Sequence, residues 1–146
     1  MPPPTGPPIG LHLTRTASVL SRAFDDALAA AGGSRPIWLI LLALKTQRLA
    51  NQRKLAEAVG VQGATLTHHL NAMEADGLVT RRTDPTNRRV HLVELTSHGD
   101  ALFHRLRAAA VGFDQRLRAG LTDSDVTSLA RLLDRLRDNV AQRRKP

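Results

Sequence analysis

Between Leu55 and Leu95 the chain passes from helical spacing to a β-branched pattern, and that order narrows the possible folds more than any other feature. A short helix over Gln52 to Val59 is followed by a turn at Gly60 and a second helix from Gln62 or Gly63 to Ala75, where Leu66, Leu70 and Met73 recur at spacings of four and three. Two strands follow, Leu78 to Arg82 and Val90 to Leu95, rich in Val and Leu and separated by the turn formers Pro85 and Asn87. The tip of this hairpin is the basic string DPTNRR, Asp84 to Arg89. Ala56 is small enough to let two helices approach, and Gly60 permits a positive φ between them. An ordinary helical hairpin satisfies the same helix spacing; the basic hairpin behind it favours a winged helix-turn-helix.

The flanks read as helices. Leu13, Ala17, Leu20, Phe24, Leu28 and Ala31 mark one face of a first helix from Ile9 to about Ala31, ended by Gly32 and Gly33. Ser34 is placed to cap a second helix running to about Thr46, with Pro36 tolerated in its first turn and apolar residues on every side, as in a buried core helix. Thr96 or Ser97 caps a long fifth helix to about Gly120. Thr122 with Asp125 resembles a capping box for a sixth, along which Val126, Leu129, Leu133, Leu136 and Val140 repeat at helical spacing. The expected fold is therefore mainly α with a small β-wing. Residues 1–8, with five prolines, form an extended arm; 9–33 and 97–146 form a helical dimerisation layer; 34–96 form the winged helix-turn-helix lobe. A layer built from the terminal helices is thin in one subunit, so a symmetric dimer that buries more apolar area is the expected arrangement.

Composition agrees. At 146 residues one core suffices, and 42% apolar residues with only 3% aromatic imply an interior of Leu, Val and Ala, which suits packed helices. The formal charge of +8 points to a polyanionic partner. Residues 48–91 hold seven of the basic residues and four acidic ones, so the basic excess is spread over the chain and its placement in the wing carries the argument.

That partner is expected to be double-stranded DNA. With Leu66, Leu70 and Met73 facing the core, Ala64, Thr65, Thr67, His68 and Asn71 turn outward as candidate major-groove readers: Thr suits a thymine methyl or base edge, Asn suits adenine and imidazole suits guanine. Gln62 either bonds a base or caps the helix. Arg88 and Arg89 at the hairpin tip suit the negative potential of a minor groove. Arg81 and Arg82 at the hairpin base, and Arg53 and Lys54 at the start of the third helix, are candidate phosphate contacts. Asp84 is placed to hold the tip by accepting from an Arg or from turn amides.

Other classes fit less well. The absence of cysteine excludes disulfides and Cys-ligated zinc, and His68 and His69, adjacent on a helix, point about 100° apart. No metal or cofactor is expected. No Ser-His-Asp, paired-carboxylate or phosphate-loop constellation stands out, so an enzyme is not expected. A protein-interaction module on the same fold is the other alternative. The longest apolar run, Ile37 to Leu44, falls well short of the roughly 20 residues that span a bilayer. MPPPTGPP does not read as a leader, so a cytoplasmic protein is expected.

In the strings PIWLILLAL, LAEAVGVQGATLTHHLNAMEADGLV and RRTDPTNRRVHLVELTSHG the chain resembles the MarR (multiple antibiotic resistance regulator) family of bacterial transcription factors over nearly its whole length. The third string is the most specific, because it joins a wing, its basic tip and the Thr-x-x-Gly start of the next helix. The resemblance implies a homodimer with the terminal helices as interface, a pseudo-palindromic operator, and Arg89 as the minor-groove arginine. Two residues before it the family commonly has Asp, where this chain has Asn87, with Asp84 as a candidate replacement; Gly63 and His68 stand where family members often carry Arg. The resemblance also implies a crevice for a small aromatic or phenolic acid whose binding releases DNA. His12, Arg15, Thr16 and Val19 share a face of the first helix, and Trp38 begins the second, so Arg15 is a candidate partner for an aromatic carboxylate stacked near Trp38. The alternative is that Arg15 makes a dimer salt bridge and Trp38 fills the core.

Overall fold

Most helix starts coincide with side chains able to accept the first free backbone amides. In a computed structural model, which describes residues 1–47 and 49–141, the order is α1 (Ile9–Ala30), α2 (Arg35–Thr46), β1 (Leu49–Asn51), α3 (Gln52–Val59), α4 (Gly63–Ala75), β2 (Val79–Asp84), β3 (Asn87–Leu95), α5 (Ser97–Leu117) and α6 (Asp123–Ala141). The last part of the expected dimerisation layer, 142–146, lies outside the described residues. Ser34 Oγ accepts from the Ile37 amide at 3.4 Å, Asn51 Oδ1 from the Lys54 amide at 2.8 Å and Thr96 Oγ1 from the Gly99 amide at 3.0 Å. Thr122 and Asp125 form the reciprocal box, at 2.9 and 3.1 Å. Gly60 closes α3 with φ +77°, a left-handed conformation that turns the chain into α4 without steric cost.

The fold is a winged helix, mostly helical with one small antiparallel sheet of order β1-β3-β2. β1 was not foreseen: Leu49 pairs with Glu94, Ala50 with Val93 and Asn51 with Leu92. The two strands of the hairpin also extend further into its tip than expected, with a register shift between Thr83 and Asp84. Arg81 pairs with Val93 and Arg82 with Leu92.

The chain divides into two compact units, 1–110 and 111–146. In the first, Leu28 of α1, Ile40, Leu41 and Leu44 of α2, Leu55 of α3, Leu66, Leu70 and Met73 of α4, Val79, Val93 and Leu106 form a closed apolar core. Burial of each side chain of this kind stabilises by about 1.5–3 kcal/mol. The core fixes α3, α4 and the sheet on one floor, α2. That helix is not buried on all sides, since Leu42 is exposed. Trp38 stacks on Phe103 of α5 at 5.6 Å, and Lys45 lies over the other end of the same cluster, paired to Asp100. Arg35 at the head of α2 bonds Ser21 and Asp25 of α1.

Apart from Leu28, α1 has no buried residue, and Ile9, Leu11, Val19 and Leu20 are exposed. The second unit carries α6, which has no buried residue and exposes Leu129, Leu132, Leu133 and Val140. Among the described residues, no single helix is long and apolar enough to cross a membrane.

Candidate nucleic-acid interface

Helical periodicity separates the two faces of α4. Leu66, Leu70 and Met73 are buried, which leaves Ala64, Thr65, His68 and Asn71 exposed. Thr67 is half-buried. Its hydroxyl donates to the Gly63 carbonyl at 3.0 Å and accepts from Gln52 Nε2 at 3.5 Å. Gln62 stands at the N-cap position without capping, so its amide is uncommitted to the helix. The His68 and His69 rings meet edge to face at 5.7 Å, with His69 half-buried.

α3 presents Arg53 and Lys54 in its first turn. Both are exposed, and Arg53 makes only a loose pair with Glu57 at 3.6 Å, worth little in water. The Lys54 amide is tied to Asn51, a cap that the sequence pattern had not singled out.

The wing tip is ordered by its own side chains. Asp84 Oδ1 accepts from the Thr86 amide and the Thr86 hydroxyl, both at 2.8 Å, which holds its carboxyl below the usual carboxylate range. Asp84 thus braces the turn through an amide rather than through an arginine. Asn87 Oδ1 accepts from the Arg89 amide at 3.1 Å, so it shapes the backbone of the arginine and leaves the guanidinium alone. Arg82, Arg88 and Arg89 are exposed, and among the described residues no ion pair or side-chain hydrogen bond involves the guanidinium of Arg88 or Arg89. Two uncompensated positive charges on a narrow two-stranded ribbon suit insertion into a groove of negative potential.

Arg81 behaves differently from its neighbours. Its guanidinium donates to Asn71 Oδ1 at 2.7 Å and to Glu74 Oε1 at 3.0 Å, and its side chain is only 21% exposed. The hydrogen bond from Arg81 lowers the Glu74 pKa. Glu74 was missing from the sequence reading; its place three residues after Asn71 on α4, one turn away, was the available signal.

The residues read as a ligand site differ in exposure. His12, Arg15, Thr16 and Val19 are exposed on α1, while Trp38 is half-buried against Phe103. A shallow groove along α1 is lined by other residues, Leu13, Ala17, Ser21 and Asp25 among them.

Comparison with known proteins places this geometry in a family. Residues 34–91 match the model of the MarR family. Over 129 residues the chain is 30% identical to a protein described as a transcriptional regulatory protein for the hcr operon of Thauera aromatica, covering 88% of this chain and 78% of the relative. The structure of the transcriptional repressor CouR bound to a DNA duplex superposes with a TM-score of 0.78 at 25% identity, covering 88% of this chain and 92% of CouR. BpsR of Bordetella bronchiseptica, described in terms of regulation of its DNA binding by 6-hydroxynicotinic acid, has the same fold, with a TM-score of 0.78 at 23% identity over 94% of this chain and 99% of its own. With the winged helix in place from Ser34 to His91 and a relative of this similarity along most of its length, the chain belongs to the MarR family of DNA-binding transcriptional regulators.

Proposed function

We propose that the chain acts as a homodimer on a pseudo-palindromic operator, as a repressor released by a small aromatic or phenolic acid. The observation that carries the DNA mode is the wing tip, where Arg88 and Arg89 are held on a defined turn with no acid among the described residues paired to them. In this reading both arginines enter the minor groove. Gln62, Ala64, Thr65, Thr67 and His68 face the adjacent major groove, and Arg53, Lys54 and Arg82 hold phosphates. A two-fold dimer sets two such lobes about one helical turn of DNA apart, near 34 Å.

Dimerisation is supported by the exposed apolar rows of α1 and α6, which a second copy would remove from water. The effector reading is supported by the exposed polar face of α1, His12, Arg15 and Thr16 beside Val19, with Trp38 stacked on Phe103 as an aromatic wall. It is also supported by the regulation of a structural neighbour by a hydroxylated aromatic acid. Such a ligand shifts the dimer away from DNA only by preferring the incompatible lobe spacing, and a difference of about 1–3 kcal/mol is enough to shift operator affinity by one or two decades.

The test is a mobility shift on a duplex from upstream of the protein's own gene, repeated with a panel of benzoic and phenolic acids. The expected result is a shifted band that one of the acids abolishes for the wild type and not for Arg15→Ala. No shifted duplex at low salt would overturn the DNA mode; a shift insensitive to every acid would overturn the effector.

A further inference from the structure

The recognition helix and the wing are fastened together by one arginine. β2 is an edge strand, and the Glu74 carboxylate on α4 takes the backbone amide of Arg81 there: Oε2 accepts the amide at 3.1 Å while Oε1 accepts the guanidinium of the same residue at 3.0 Å. The same guanidinium nitrogen also donates to Asn71 Oδ1 at 2.7 Å. Both carboxylate oxygens and an amide oxygen of one helix are therefore committed to one residue of the wing.

Strand alternation explains why Arg81 turns this way. Val79 is buried on the inner face of β2, and Arg81, two residues on, shares that face, whereas Arg82 between strand and solvent is exposed. Asn71 and Glu74, three apart, share the face of α4 that meets it. An acid near a DNA-facing surface ordinarily repels phosphate, so Glu74 is a cost to binding unless the geometry it fixes returns more. An arginine whose inward guanidinium nitrogen is shared between Glu74 and Asn71, and whose side chain is only 21% exposed, is a poor phosphate ligand.

We propose that Arg81, Glu74 and Asn71 are positioning residues for DNA recognition: they set the offset between α4 and the wing, so that the major-groove readers and Arg88 and Arg89 engage successive grooves together, without themselves contacting DNA. The proposal rests on the DNA-binding reading above. Arg81 thus holds the wing in place, and Asn71 is occupied by Arg81 rather than by adenine.

The sign of one substitution separates this from direct contact. Fluorescence anisotropy with the full chain and a labelled duplex from upstream of its gene, over a salt series, is the assay. If Glu74 only repels DNA, Glu74→Gln tightens binding; as a brace, its loss weakens binding about 3- to 10-fold. If Arg81 neutralised a phosphate, Arg81→Gln would flatten the slope of log K against log salt by about 1.8 per dimer. As a brace, its loss lowers affinity and leaves the slope unchanged. The double variant should bind no more weakly than Arg81→Gln alone. Asn71→Ala should weaken all duplexes alike rather than relax one base position. Glu74→Gln preserves shape and one acceptor oxygen, so it carries the test if Arg81→Gln does not fold. A wild type that binds no duplex overturns the DNA-binding reading and the brace with it. A wild type that binds while Glu74→Gln binds equally or more tightly overturns the brace alone.

Discussion

Replacing Gly99 by alanine should loosen the junction between wing and α5, and the structure allows the cost to be worked out. A β-carbon on Gly99 would sit 2.1 Å from the Leu78 carbonyl oxygen and 2.7 Å from Leu95 Cδ1. A carbon and an oxygen normally approach no closer than about 3.3 Å, so the first turn of α5 has to retreat by roughly 1 Å. That movement strains the Thr96 amide bond to the Leu78 carbonyl at 3.1 Å and the Thr96 hydroxyl bonds to the Gly77 and Leu78 carbonyls at 2.6 and 3.0 Å. Two weakened donors at about 0.5–1.5 kcal/mol each, and overpacking of about 1–3 kcal/mol, sum to about 2–6 kcal/mol. The gain of alanine over glycine in a helix returns about 1 kcal/mol, leaving a net loss of about 1–5 kcal/mol. Urea unfolding followed by far-UV circular dichroism at fixed protomer concentration should show the midpoint falling by about 0.5–2.5 M for an m-value near 2 kcal/mol/M. Gly112 in the same helix supplies the control: a β-carbon there meets nothing within 4 Å, so Gly112→Ala should raise the midpoint. A midpoint unchanged or raised by Gly99→Ala would refute the steric reasoning.

Two further outcomes follow from the same structure. Leu133→Asp places a charge on the exposed apolar row of α6; sedimentation equilibrium should show association of the proposed dimer weakened by about 3 kcal/mol or more over the two copies, with helical content retained, and an unaltered dimer would contradict that row as an interface. The Lys45 ammonium bonded to Asp100, helped by His104, holds the Asp100 carboxyl below its usual range. Because its folded pKa is depressed, this contribution is complete above the unfolded value and disappears as pH falls through the folded one. Acidification below about pH 4 should therefore cost the wild type more stability than Asp100→Asn, measured by urea midpoints across that range, and parallel pH curves would refute the pairing.

Much of this fold is legible in sequence because its helices stop at glycines and start at side-chain caps, both local signals. Gly32, Gly60, Ser34 and the Thr122–Asp125 box are all read within a few residues of the boundary they set. β1 escapes because Leu49–Asn51 is too short for a period and is made a strand only by Glu94, Val93 and Leu92, far along the chain. The hairpin reaches further than expected because Thr83, Asp84 and Asn87 through Arg89 are polar, and a polar tip offers no alternation to follow. The Thr-x-x-Gly string announces a helix start, but the reason glycine is needed there, contact with Leu78, lies across the fold. Arg81 is the sharpest case. Four arginines lie within nine residues of one hairpin, at 81, 82, 88 and 89, and only the inner face of β2 distinguishes the one that binds Glu74 from those left exposed.

The most direct measurement of the account is the salt dependence of operator binding for the wild type and Arg89→Ala, by anisotropy on the duplex from upstream of the gene. If Arg89 sits in the minor groove of each half-site, its loss weakens binding at every salt concentration and flattens the slope of log K against log salt by about 1.8 per dimer. Equal affinity and equal slope for the two proteins would contradict the wing as the grip on DNA.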